Sequence, residues 1–307
     1  MRKRRRVSGS RFGHVARLMP SRDLCGTTEA EFADLLDRLA PLVHAEYLAR
    51  GERPGRQRAL GGGDKPNPFW FRLLVALTHL RQGISLRATA AFFEIDEKSV
   101  RNYRNEVVRL LADHGCQPPG ATRPIRSLDD LGEYLDGLPE EFCLIDGTHV
   151  ARSAPGSYAA QRASWSGKSR RHVVKATVVS TSGRRPVWFE ANPSGEGRTH
   201  DITMLRSQTG LLEVLGRTRA NVLADKGYGG LHHDIAPERV ITPQRKPSGG
   251  ELTAGDESFN RDLSTLRIPV EHAIGRMKWW GSMRHWRASI DRFNETGKAI
   301  ATLASIT

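Results

Sequence analysis

The hydrophobic periodicity of this chain changes partway along it, and that change limits the folds open to it. From Phe32 to about Leu111 apolar residues recur at helical spacing. After a segment carrying Pro118, Pro119, Gly120 and Pro124, they gather instead in short runs rich in Val, Thr, Ile and aromatics. Thr28 with Glu31 reads as a capping box opening a first helix, which Pro41 should end or kink. Gly51–Asn67, with glycines at 61–63, reads as a loop, and Cys116–Arg126 as a linker. A short helix is expected near Ser127–Leu135. The runs Phe142–Val150, His172–Thr181 and Pro186–Ala191 then predict three consecutive antiparallel strands. Next come a helix over Asp201–Leu215, short strands at Asn221–Asp225 and Val240–Thr242, and a helix from about Asp256 to Lys278 that Pro269 must begin or kink. This is an α/β order, compatible with a ribonuclease-H-like domain, a mixed sheet flanked by helices, preceded by an all-α region.

With 307 residues, 38% of them apolar, the chain can bury a real core, so disorder throughout is excluded. No stretch reaches the roughly 18–20 uninterrupted apolar residues of a membrane span. The opening MRKRRRVSGS is basic but has no apolar segment after it, so a soluble protein without a signal peptide is expected. Cys25, Cys116 and Cys143 are far apart and odd in number, against a disulfide framework. Forty-seven Lys and Arg against 34 Asp and Glu leave a net charge of +13. That excess fits a polyanionic partner such as nucleic acid. It equally fits a GC-rich genome, since 38 of the 47 cations are Arg.

Two constellations carry chemistry. Helices over Trp70–Leu80 and Leu86–Phe93 and a third capped by Asp96 make a helix-turn-helix at about residues 70–112. On the third helix Val100, Tyr103, Val107 and Leu110 share one face, and Lys98, Arg101, Asn102, Asn105 and Arg109 the other. Arg and Asn are the residues that read guanine and adenine edges in a major groove, although a plain three-helix packing unit has the same pattern. The second constellation is acidic. Asp146 follows the apolar run Phe142–Ile145 and Asp225 follows Val222–Ala224, so each sits where a buried strand meets a loop. Turn chemistry alone also accounts for IDGT and DKGY. Arg267, Glu271 and Lys278 fall on one face of the late helix.

IDGT at Asp146, WSGKSRRHVVK at Trp165–Lys175, GRTHDITMLR at Gly197–Arg206, VLADKGY at Val222–Tyr228 and RIPVEHAIGRMK at Arg267–Lys278 occur in the order found in bacterial insertion-sequence DDE transposases. The chain, from roughly Ala76 onward, resembles insertion-sequence family five and its Harbinger relatives, the DDE superfamily endonucleases. Ser264 stands where a sister family has a Tyr, which argues against that sister family. The resemblance implies a triad of Asp146, Asp225 and Glu271 holding two Mg²⁺ ions, with Mn²⁺ as a substitute, for cleavage and strand transfer of DNA. It further implies phosphate contacts at Arg267 and Lys278 and a DNA backbone contact at Tyr228. The basic edge Lys168, Arg170, Arg171 and Lys175 beside Trp165 should grip DNA.

Asp201, in the THD segment, could be a fourth acid but also suits a helix cap, and is left outside the triad. His149, His172 and His200 lack metal-ligand spacing. Trp279, Trp280, Met283 and Trp286 read as packing. The expected organisation is a basic arm at 1–26, a helical region at 27–115, a linker at 116–126, the catalytic domain at 127–290 and a C-terminal helix at 291–307. The expected partners are double-stranded DNA, as terminal inverted repeats and target, and at least one further copy of the chain, with no membrane. The expected place is the nucleoid of a bacterial cytoplasm. A DNA-binding regulator, or a domesticated derivative that keeps the fold without catalysis, is the alternative. A glycosidase built on paired acids would leave the basic excess unexplained.

Overall fold

The structure, a computed structural model, describes residues 20–51, 67–139 and 142–307. The expected basic arm at 1–26, except for its last residues, and most of the loop Gly51–Asn67 lie outside these. The chain divides into two compact units at Val107/Val108.

The first unit is helical. Helix α1 (Glu29–Gly51) opens with the capping box: Glu31 N–H donates to Thr28 Oγ1 at 3.2 Å and Thr28 N–H to Glu31 Oε2 at 2.7 Å. It runs through Pro41 and does not end there. Helix α2 (Phe69–Gln82) is buried from Phe71 to Leu80, including three polar residues. Two of these, Arg72 and His79, have partners that their sequence positions alone do not reveal. Arg72 forms a two-pronged ion pair with Glu106, at 2.8 and 3.3 Å. His79 shares a 3.0 Å hydrogen bond with Thr89. Burial, aided by Arg104, lowers the His79 pKa to about 4, so the ring is neutral in the core. Helix α3 (Leu86–Phe93) is capped by Ser85, and helix α4 (Glu97–His114) by Asp96, whose Oδ1 accepts from Ser99 N–H at 2.8 Å. Val100, Tyr103, Val107 and Leu110 are buried as their spacing requires, and Lys98, Arg101 and Asn102 are exposed. Asn105 is half-buried, its Oδ1 accepting from Arg104 at 2.8 and 3.2 Å.

The second unit is a mixed sheet between helices. The segment expected as a linker belongs to this unit: Cys116 and Ile125 are buried and exchange backbone hydrogen bonds of 3.2 and 2.7 Å, so its prolines and glycines build a closed turn. Helix α5 (Leu128–Asp136) follows, then β1 (Phe142–Arg152), the central strand. Two further elements lie between the first two predicted strands, helix α6 (Tyr158–Ser164) and the short strand β2 (Trp165–Ser166). Strands β3 (Arg171–Ser180) and β4 (Pro186–Ala191) complete the antiparallel half. The predicted helix over Asp201–Leu215 is broken into α7 (Asp201–Ser207) and α8 (Thr209–Arg217). Gln208 causes the break: its buried side chain accepts from Thr177 Oγ1 at 2.7 Å and donates to Glu190 O at 2.8 Å, which fixes the residue to the sheet.

Strands β5 (Asn221–Leu223) and β6 (Val240–Ile241) extend the sheet on the other side of β1, both parallel. The sheet is therefore half antiparallel and half parallel about β1, the ribonuclease-H-like order. Along β1, Cys143 and Ile145 pack under α5, α7 and α8, while Leu144 packs with Leu263 and Val270 of helix α9 (Ala254–Lys278). Pro269 neither starts nor stops α9, which begins at a Thr253–Asp256 capping box. Strand β7 (His285–Trp286) pairs with the end of β1, and Trp280, Met283 and Trp286 are buried as packing residues, with Trp279 exposed. Helix α10 (Phe293–Ile306) lies on β4 and so is a layer of this unit, not an appendage. Gly297 makes that contact possible, because a Cβ there would overlap the buried Phe189 ring. We predict that Gly297→Ala destabilises the protein by about 1–3 kcal/mol, the usual cost of overpacking, measured by thermal or urea unfolding.

Candidate active site

The register of β1 against β5 builds the site. Leu144 pairs with Leu223 in the parallel ladder. Two residues beyond each stands an aspartate, Asp146 and Asp225, so both acids emerge at one level where β5 gives out. Asp225 Oδ1 accepts from Gly227 N–H at 2.8 Å and caps the turn Lys226–Tyr228. Asp146 Oδ1 accepts from Gly147 N–H at 2.7 Å.

Asp201 joins them, against the expectation that it caps a helix. The residue flanking α7 is His200, with no side-chain cap bond, and the Asp201 carboxylate turns inward. Its Oδ1 accepts from the Lys175 ammonium at 2.6 Å, which also donates to Thr199 O at 2.6 Å. Lys175 is buried, so this pair is a firm tether rather than a surface contact. The carboxylate lies so close to two backbone glycines that a Cβ on Gly147 would meet Oδ1 at 2.5 Å and one on Gly227 would meet Oδ2 at 2.7 Å. The glycines of IDGT and DKGY are thus the floor on which Asp201 sits. These two Asp–Gly pairs, together with THD, were the signal in the sequence that the capping interpretation passed over.

Charge is concentrated here. Burial raises the Asp146 pKa to about 6; Arg267 opposes the shift, and Asp225 and Asp201 add to it. Arg267, expected on DNA phosphate, instead touches Asp146, Nη2 to Oδ2 at 3.2 Å, and both side chains are largely buried. Glu271 stands one turn further along α9 and is exposed. Lys278 is half-buried, its pKa lowered by burial with Asp146 acting in the opposite sense. Among the described residues no three His, Cys, Asp or Glu side chains are gathered closely enough to hold a metal ion as they stand. His149 has its pKa lowered by burial and by Lys278, Lys175 and Lys168, which shows how many cations surround the acids. Lys168, Arg170 and Arg171 are exposed at the turn between β2 and β3.

Tyr228 does not reach outward to DNA. It is fully buried in the core under α7 and α8, its hydroxyl has no hydrogen-bond partner, and burial and the three aspartates keep it protonated. The reason is the turn that Asp225 caps, which folds the ring back beneath the sheet.

The elevated Asp146 pKa has a sign that can be checked. The folded protein holds this proton more tightly than the unfolded chain, so the group favours folding below about pH 4 and its contribution is lost as pH rises through about 6. At pH 7.5 with chelator, Asp146→Asn is expected to unfold at higher temperature than the wild type, by roughly 1–3 kcal/mol of stability. The advantage should shrink as pH falls toward 4.

Residues 145–307, just over half of the chain, match the family described as DDE superfamily endonuclease. Residues 72–117 match the helix-turn-helix of DDE superfamily endonuclease, which covers most of α2, α3 and α4. The chain is 33% identical over 142 residues to the "Probable transposase for insertion sequence element IS702" of Microchaete diplosiphon, a match covering 45% of this chain and 47% of that protein. The chain thus spans about half the length of this curated relative. No solved structure matches. The family match covers more than half of the chain, and the sheet order and the helix-turn-helix agree with it: the chain belongs to the DDE superfamily endonucleases.

Proposed function

We propose that the protein is the transposase of an insertion sequence, which binds the ends of its element and cuts and joins DNA there with Mg²⁺. The observation that carries this reading is the convergence of Asp146 and Asp225 at one level of a mixed sheet, in a chain of endonuclease family with a helix-turn-helix. The donor set fits a hard divalent cation: it is made of carboxylate oxygens, one of them held partly protonated by burial and like charge, which a cation would relieve. When bound, Mg²⁺, or Mn²⁺ in its place, supplies an activated water or 3′-hydroxyl and stabilisation of the leaving oxygen.

The chain's own residues do the rest. Asp146 on β1 and Asp225 just beyond the end of β5 would hold the metal ions, with Glu271 completing the set from α9. Lys175 keeps Asp201 fixed between Gly147 and Gly227, which sets the spacing of the other two acids. Arg267 neutralises Asp146, and with Lys278 it would contact phosphate when DNA is bound. Lys98, Arg101 and Asn102, exposed on α4, contact the terminal inverted repeats, with Asn105 oriented by Arg104. Lys168, Arg170 and Arg171 hold flanking or target DNA. Joining two ends requires at least a dimer, at work on the bacterial nucleoid. No helix among the described residues is long and apolar enough to cross a membrane.

Asp146→Asn, Asp225→Asn and Glu271→Gln should each abolish Mg²⁺-dependent cleavage of terminal-repeat DNA, read on a denaturing gel, with binding retained within about threefold by gel shift. Cleavage by Glu271→Gln at the wild-type rate would remove Glu271 from the set and make Asp201→Asn the decisive variant. Replacing Lys98 and Arg101 with Ala should reduce the slope of log affinity against log salt by about 2, close to 0.9 for each lost phosphate contact.

A further inference from the structure

Beside the acids the second unit carries a pocket that the cleavage chemistry does not use. Its volume is about 570 Å³, the size of sites that take small planar ligands. It is lined by Tyr158, Gln161 and Arg162 of α6, Trp165 of β2, Gly167, His172 of β3 and Arg198, with two guanidinium groups and no carboxylate. Tyr158 is 79% and Trp165 45% exposed, so both rings offer aromatic surface to a ligand in the same pocket. Trp165 is set in place from behind: its ring meets His172 edge-on at 5.2 Å, and His172 Nδ1 shares a 2.9 Å hydrogen bond with Ser164 Oγ. Arg198 is fixed at the rim by the strap that precedes α7. Gly197 N–H donates to Ala163 O at 3.1 Å, and a Cβ on Gly197 would overlap Ser164 O and Val173, so only glycine brings the strap this close.

The strap also ties the pocket to the acids: Arg198 and Asp201 are three residues apart on it, at most about 11 Å. The rings of Trp165 and Tyr158 lie open to solvent, and the face of a base can stack on them only when that base is out of the helix.

We propose that this pocket takes an unpaired nucleobase of the DNA strand being cut, close to the scissile phosphate. The base stacks on Trp165 and Tyr158, and Arg162 and Arg198 hold the phosphates on either side of it. The location relative to the cut rests on the cleavage reading above; the pocket's affinity for a base does not.

The test uses the full chain in chelator, a 12-nucleotide single strand carrying one 2-aminopurine, and a blunt duplex of the same sequence. Wild-type protein should quench the 2-aminopurine. Trp165→Ala and Tyr158→Ala should lose the quench and bind the single strand roughly tenfold more weakly, the effect of removing one stacking platform, while duplex affinity stays within twofold. Trp165→Phe should keep most of both signals, and Arg198→Ala should weaken single-strand binding, so the test survives if an alanine variant folds poorly. Unchanged binding and quench in all these variants would overturn the proposal. So would an equal loss on duplex, which would mark a general DNA grip, or loss of self-association with single-strand binding intact, which would mark a contact between copies. If wild-type protein quenches but never cleaves in Mg²⁺, the cleavage reading fails and the pocket stands. Cleavage retained by variants that quench like the wild type gives the converse.

Discussion

The pairing of β1 with β5 is the constraint on which the site depends. Parallel strands held in one register carry their residues forward at equal rise, so two apolar runs of matching length deliver two aspartates to the same height without any loop having to place them. Burying the runs stabilises the strands; bringing the acids level does the reverse, because like charges in a partly dry setting repel. The fold meets that repulsion with fixed cations. Lys175 reaches across from β3 to Asp201, and Arg267 across from α9 to Asp146. Each of these side chains is itself largely buried, so the neutralisation is built into the sheet and its covering helix and does not depend on salt in the solvent.

Much of this was readable in the residues. Local signals with a direct physical cause came through well: the Thr28–Glu31 box, the Asp96 cap, the apolar face Val100–Leu110 and the three strand runs all stand where their spacing put them. Sequence reading fell short where a side chain acts on something distant in the chain. Gln208 breaks a helix by bonding to the sheet, which no pattern within that helix could disclose. Pro41 and Pro269 do not bound their helices but sit inside them, since tertiary packing outweighs one missing hydrogen bond. Tyr228, which the resemblance assigns to the DNA backbone, sits in a turn that directs it inward.

The site was legible in part for the same reason. Asp146 and Asp225 announce themselves at the ends of apolar runs. Asp201 does not, because its partner Lys175 lies 26 positions earlier and its two glycine neighbours lie on either side in sequence. The cationic excess also resolves into specific tasks. Some of it neutralises acids, some of it lies exposed on α4 and the β2–β3 turn, and Arg72 is spent inside the helical unit on Glu106 and the Asn67 carbonyl.

The seating of Asp201 against Gly147 and Gly227 ties together three segments that are far apart along the chain. A side chain added at either glycine must displace the carboxylate, and a shorter or longer residue at 201 changes what either glycine position can accept. Substitutions at these three positions are therefore not additive: the effect of one depends on which residue occupies the others. As this protein diverges, positions 147, 201 and 227 form a single heritable unit, open to change together and closed to change one at a time.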